Sequence, residues 1–166
     1  MKVVLDCNVW VQAAERFGRL PRTAGELAQT NLGQIVNAAL RGRPLDGQPV
    51  QVVVSRHILA VADHVVTLRG WADAGEFGRW AKETILARLL EAGAAGVDLT
   101  IEDYPALAAR AAQPDGAEDA EDEAVLRCAI SSGATLVTAD WVLAGVAGRR
   151  GVAVHGPDAL ARRLAR

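Results

Sequence analysis

Short aliphatic runs alternate with longer amphipathic stretches along this chain, and the alternation predicts its elements. Residues 2–6 read as a buried strand, an apolar run with two adjacent valines that closes on Asp6. Asn8 is placed to cap a helix whose apolar face holds Val9, Trp10 and Ala13. Residues 17–23 form a loop. Thr23, with Glu26 three residues on, has the spacing of a capping box and opens a helix to about Arg41. Residues 42–49, rich in Gly and Pro, read as a loop. Residues 51–54 predict a second strand, and Ser55 caps a helix through about Leu68. Further helices are expected over 72–93, 105–112, 120–132 and 158–165, the third burying Val125, Leu126 and Ile130. Strands are expected at 97–100, 135–138 and 152–154, with a loop over 113–119. Strands alternating with helices imply right-handed crossovers and a parallel sheet covered on both faces. The expected fold is therefore α/β: a three-layer sandwich around a mainly parallel sheet of about five strands, one domain over 1–166.

Composition narrows this picture. Half of the 166 residues are apolar and only 4% are aromatic, which suits helices packed on a short aliphatic sheet. Cys7 and Cys128 form neither a CxxC pair nor a metal-ligand spacing, and each sits in an apolar stretch as a free buried thiol would. The opening apolar run is too short for a signal peptide, and no later run has the length of a membrane span, so a cytoplasmic protein is expected. A net charge of −2 argues against a non-specific polyanion binder. It leaves room for a nuclease, whose acidic centre offsets a basic rim.

The chemistry gathers at strand ends. In open parallel sheets, ligand sites lie beyond the carboxyl ends of the strands. The first strand ends in Asp6 and the fourth leads into Asp140, within the run TLVTAD. Neighbouring parallel strands would hold these carboxylates close enough to raise each other's pKa unless a cation sits between them. A third group of acids, DGAEDAEDEAVL over residues 115–126, precedes and opens the 120–132 helix. Asp115, Glu118, Glu121 and Glu123 read as solvated acids that favour a helix N-terminus. Asp122 stands three and four residues before Val125 and Leu126, which turns it toward the sheet. The histidines His57, His64 and His155 show no zinc-helix spacing. Arg56 and Arg127 are the candidate phosphate contacts.

Together LDCNVW, DAEDEAVL and LVTAD resemble the PIN-domain family, in particular its toxin-like prokaryotic branch. The family's strand–Asp–x–Asn pattern falls on Asp6 and Asn8, its D/N–x–x–D helix pattern on Asp119 and Asp122, and its Val–Thr–x–Asp pattern on Val137, Thr138 and Asp140. The order of elements matches along essentially the whole chain. One departure stands out: the glutamate usual in the helix after the second strand is missing, and its positions hold Ala60 and Val61. Asp63 is the nearest acid, either reaching the same cleft from a shifted register or lying at the surface.

The resemblance implies a metal-dependent endoribonuclease, the toxin half of a toxin–antitoxin pair, with RNA as substrate and a cognate antitoxin and a second copy of itself as partners. Asp6, Asp122 and Asp140 would be the metal ligands, Asp119 and Asp63 would contribute to a second ion or position water, and Asn8 and Thr138 would orient the carboxylates. Hard oxygen donors select Mg²⁺ or Mn²⁺, which polarises a phosphoryl oxygen and activates water. Two alternatives compete. The altered second acidic position suits a catalytically degenerate PIN-like domain serving as an RNA- or protein-binding scaffold. A haloacid dehalogenase-type phosphohydrolase needs an acid two residues after the first aspartate, where this chain has Asn8.

Overall fold

The computed structural model describes residues 1–98 and 120–165. Five strands form a parallel sheet: β1 (Lys2–Leu5), β4 (Gln51–Ser55), β5 (Ala95–Asp98), β6 (Thr135–Val137) and β7 (Val154–His155). Their order is β5-β4-β1-β6-β7. The strands are aliphatic because both faces are covered: Val3, Val4, Leu5, Val52, Val53, Val54, Leu136 and Val137 are all buried. Helices flank the sheet, so the observed class is α/β, with a parallel sheet of five strands among the described residues, as the alternating pattern predicts.

Helix α1 (Cys7–Glu15) follows β1 at once and buries Val9, Trp10, Ala13 and Ala14. The expected cap is displaced by two residues. Asp6 occupies the capping position with extended backbone but makes no capping bond from its side chain, and Asn8 lies inside the first turn. The single helix expected from Thr23 to Arg41 is two, α2 (Ala24–Ala28) and α3 (Asn31–Leu40). Thr30 opens the second by accepting from the Gly33 amide, and a Cβ on Gly33 would lie 1.9 Å from the Leu27 carbonyl oxygen. Only a glycine lets the two helices meet at that corner.

The 42–49 loop contains a small hairpin, β2 (Pro44–Leu45) with β3 (Gln48–Pro49). Asp46 and Gly47 turn it with φ of 51° and 80°, the Asp-Gly signature of a tight hairpin. Helix α4 (Arg56–Leu68) starts as expected at Ser55, whose hydroxyl accepts from the Ile58 amide. Helix α5 (Glu76–Trp80) continues through a π-helical segment, Ala81–Leu86, into α6 (Ala87–Glu91). The fully buried Phe77 packs edge-on against Trp10 of α1, with ring centroids 6.5 Å apart.

The third strand of the sheet begins at Ala95, two residues before its expected start. The helix expected over 105–112 and the loop over 113–119 lie outside the described residues. Helix α7 (Ala120–Ser132) packs on β1, β4 and β6 and buries Val125 and Leu126. Ile130, expected in the core, is half exposed because its position turns to the outer face of that helix. Helices α8 (Trp141–Arg149) and α9 (Pro157–Leu164) complete the described chain.

The strand order places the site. The chain leaves β1 toward β4 and β5, then returns to the other side of β1 to form β6 and β7. The order therefore reverses between β1 and β6, and the crevice beyond their carboxyl ends is where such sheets bind ligands.

Candidate functional site

Asp6 follows β1 and Thr138 follows β6, so the ladder between those strands sets them side by side. The Asp6 amide donates to the Val137 carbonyl at 3.0 Å, one step beyond the Leu5–Val137 pair. Across this join the Thr138 hydroxyl donates to Asp6 Oδ2 at 2.6 Å. The Thr138 hydroxyl oxygen in turn accepts from the Asp140 amide at 2.9 Å and from Asn8 Nδ2 at 3.3 Å. A threonine hydroxyl has one proton and two lone pairs, and here all three are used.

Asp6 and Asp140 differ in setting. Asp6 is 6% exposed, and burial pushes its carboxyl above the usual aspartate value. The Thr138 hydroxyl and the Cys7 amide favour its ionised form, while the charge of Asp140 opposes it. Asp140 is exposed and caps α8, its Oδ1 accepting from the amides of Val142 at 2.7 Å and Leu143 at 3.0 Å. That arrangement leaves Asp140 Oδ2 without a hydrogen bond among the described residues. Asn8 Oδ1 is buried and likewise has no hydrogen-bond partner there. Two helices, α1 and α8, begin at this crevice, and their N-termini favour the negative charge collected in it.

Further acids stand at the start of α7. Burial, with the charges of Asp6 and then of Glu121 and Asp122 in the first turn of α7, raises the Cys7 thiol far above its ordinary value. Cys7 is therefore a neutral thiol that feels the charges of both Asp6 and the α7 acids. Ala60 and Val61, where the PIN pattern has its glutamate, line a cavity of about 250 Å³ with His57, His64 and Glu121. Glu121, read from sequence as a solvated acid, thus faces the very helix that lacks the glutamate. Its signal was weak in sequence because every acid of the 115–126 run suits a helix N-terminus equally well.

Asp63 is not brought to the crevice. Its carboxylate accepts from the amides of Gly75 at 3.0 Å and Gly78 at 3.1 Å, tying α4 to the start of α5. Asp119 lies outside the described residues. Arg127 pairs with Glu123 on its own helix at 3.4 Å, whereas Arg56 is exposed at the first turn of α4. Trp141, next to Asp140, is 83% exposed, an unusual position for so large an apolar side chain.

The donor set suits a hard cation. Asp6, Asp140 and Asn8 offer carboxylate and amide oxygens, two of them lacking a hydrogen-bond partner among the described residues. Among those residues no three His, Cys, Asp or Glu side chains form a group that could hold a metal ion by themselves. Mg²⁺ does not need such a cage, since it keeps several waters and binds through one or two carboxylates. Among the described residues no helix is long and apolar enough to cross a membrane.

No family model matches the chain, and no curated protein matches it. A domain of a functionally unknown protein from Methanocaldococcus jannaschii DSM 2661 is similar in structure, with a TM-score of 0.55 and 12% sequence identity. The match covers 93% of this chain and 89% of that one. At that identity the likeness is one of fold alone, and it says that this arrangement of strands and helices is shared.

Proposed function

We propose that the chain is an Mg²⁺- or Mn²⁺-dependent phosphodiesterase that cleaves RNA, as its resemblance to the PIN-domain family implies. The observation that carries the proposal is the Asp6–Thr138–Asp140 link, which ties the Asp6 carboxylate through the Thr138 hydroxyl to the Asp140 backbone amide, so that the charge of Asp140 is felt at Asp6 where the strand order reverses. Asp6 and Asp140 would hold the ion, with Asn8 Oδ1 and, through water, Asp122 completing its shell. A bound ion supplies Lewis-acid polarisation of a phosphoryl oxygen. Thr138 fixes the Asp6 carboxylate with its single proton, and Asn8 in turn holds the Thr138 oxygen. Glu121, which lines a cavity with Ala60 and Val61, would stand in for the family's second acid in place of Asp63 and orient water on the α4 side. Exposed Trp141 offers an indole face for a base beside Asp140, and Arg56 a guanidinium for a phosphate. By the same resemblance the protein would be the toxin of a toxin–antitoxin pair and act as a homodimer.

A second reading has its own observation. Asp63 is spent on capping α5, and Ala60 and Val61 carry no charge, so a PIN-like domain without turnover would serve as an RNA- or protein-binding scaffold. RNA incubated with the purified protein and Mn²⁺ separates the two. Cleavage that chelation and Asp6→Asn each abolish supports the nuclease; binding of Mn²⁺ and RNA without cleavage supports the scaffold.

A further inference from the structure

A cavity of about 500 Å³ lies between the loop that leads into α2 and the helical run from α5 to α6, and it shares no lining residue with the strand-end acids. Its volume is that of a pocket for a small organic ligand. Two indoles, Trp71 and Trp80, line it, with Arg19, Arg22, Arg88 and Glu76 supplying the charge.

Several of these groups are already fixed. The Trp80 N–H donates to the Pro21 carbonyl at 3.1 Å, and its ring packs on buried Phe77 with centroids 5.5 Å apart. Arg19 forks onto Glu26 at 2.7 and 2.9 Å, and this pair holds the Glu26 carboxyl down to about 2, so that both stay charged. Arg22 and Arg88 are different: among the described residues neither guanidinium has an ion-pair partner. Glu76 is engaged by the Asp73 amide at 2.9 Å. The cavity thus presents rigid aromatic surface and two uncommitted guanidinium groups in a wall with one carboxylate.

We infer that this cavity binds a nucleoside phosphate, its base against Trp71 and Trp80 and its phosphate taken by Arg22 and Arg88. Guanidinium forks match phosphate oxygens, and indole surfaces stack any base. An aliphatic acid leaves the indoles unused, and an uncharged aromatic leaves both arginines unused. The same chemistry comes from a free nucleotide or from one residue of a single-stranded RNA. The inference stands apart from the metal reading, because none of these residues touches Asp6 or Asp140.

Calorimetric titration of the full chain in chelator tests it, with adenosine monophosphate, a pentaadenylate, adenosine and inorganic phosphate as probes. The monophosphate or the pentaadenylate binds at least tenfold more tightly than adenosine or phosphate alone; whichever is tighter identifies the source. Arg22→Glu with Arg88→Glu, both at exposed positions, weakens that binding at least tenfold with an unchanged melting temperature. Trp71→Leu likewise weakens it at least tenfold, read at a temperature where the variant is folded. Asp6→Asn leaves it unchanged. No binding by either nucleotide, phosphate binding as tightly as the monophosphate, or loss on Asp6→Asn overturns the inference. So does a result in which the arginine reversals abolish only self-association.

Discussion

The Thr138 hydroxyl donates to the Asp6 carboxylate at 2.6 Å across the end of the β1–β6 pair. Because the same oxygen receives the Asp140 amide and the Asn8 side chain, Thr138 is the hinge pin of the strand-end group. Thr138→Val keeps the shape and removes all three bonds, stranding buried polar groups at a cost on the order of 1–3 kcal/mol. For a chain of this size each kcal/mol lowers the melting temperature by about 2–4 °C. Thr138→Ser restores the hydroxyl and melts close to the parent. Differential scanning calorimetry of the two variants checks this.

Asp6 should weaken the fold when no cation is present. Burial, with Asp140 adding to it, raises the folded carboxyl above 3.8, so the native state binds a proton that the unfolded chain has already lost. Stability therefore falls as pH climbs from about 3.8 through the folded value, and stays lower beyond it. Asp6→Asn removes that loss while its amide oxygen still accepts from Thr138. At pH 7 in chelator the variant is expected to be more stable by on the order of 1 kcal/mol. Urea unfolding measures the sign directly.

His57 gives stability its slope near neutrality. Burial holds its pKa below the ordinary 6.5, so the unfolded chain takes up a proton first as the pH falls. The contribution is whole above 6.5 and is lost on acidification through the folded value. His57→Gln should flatten the fall in urea midpoint between pH 7 and pH 5, relative to the parent.

Gly33→Ala sets helix propensity against packing. Propensity alone favours alanine by about 1 kcal/mol. The new Cβ would meet the Leu27 carbonyl oxygen at 1.9 Å, which is backbone and cannot rotate away. Overpacking of this kind costs about 1–3 kcal/mol or more, so the variant is expected to melt lower. A higher melting temperature would show that the α2–α3 corner opens freely.

Much of the fold was legible because its signals are local. The valine runs at 3–4 and 52–54 state buried strands, and Thr23 and Ser55 cap as their spacing predicts. Signals that depend on distant partners were not legible. Asn8 looks like a cap until Thr138, 130 positions away, claims its amide. Thr30 and Gly33 divide a continuous apolar pattern because the returning chain must clear Leu27. Asp6, Asn8, Thr138 and Asp140 stand out in the sequence and lie together, since adjacent strands fix them. Glu121 reads as one more solvated acid because its relation to Ala60 and Val61 exists only once α7 packs beside α4. For Asp63 the sequence leaves a cleft and a surface position equally open, because the two glycine amides that hold it lie 12 and 15 residues away.

Diffraction from crystals soaked in Mn²⁺ and recorded at the manganese edge bears most directly on the central claim. An anomalous peak within coordination distance of both the Asp6 and Asp140 carboxylates, absent from Asp6→Asn crystals, is the predicted result. Anomalous density that appears only elsewhere, or that persists between the strand ends in the Asp6→Asn variant, contradicts it.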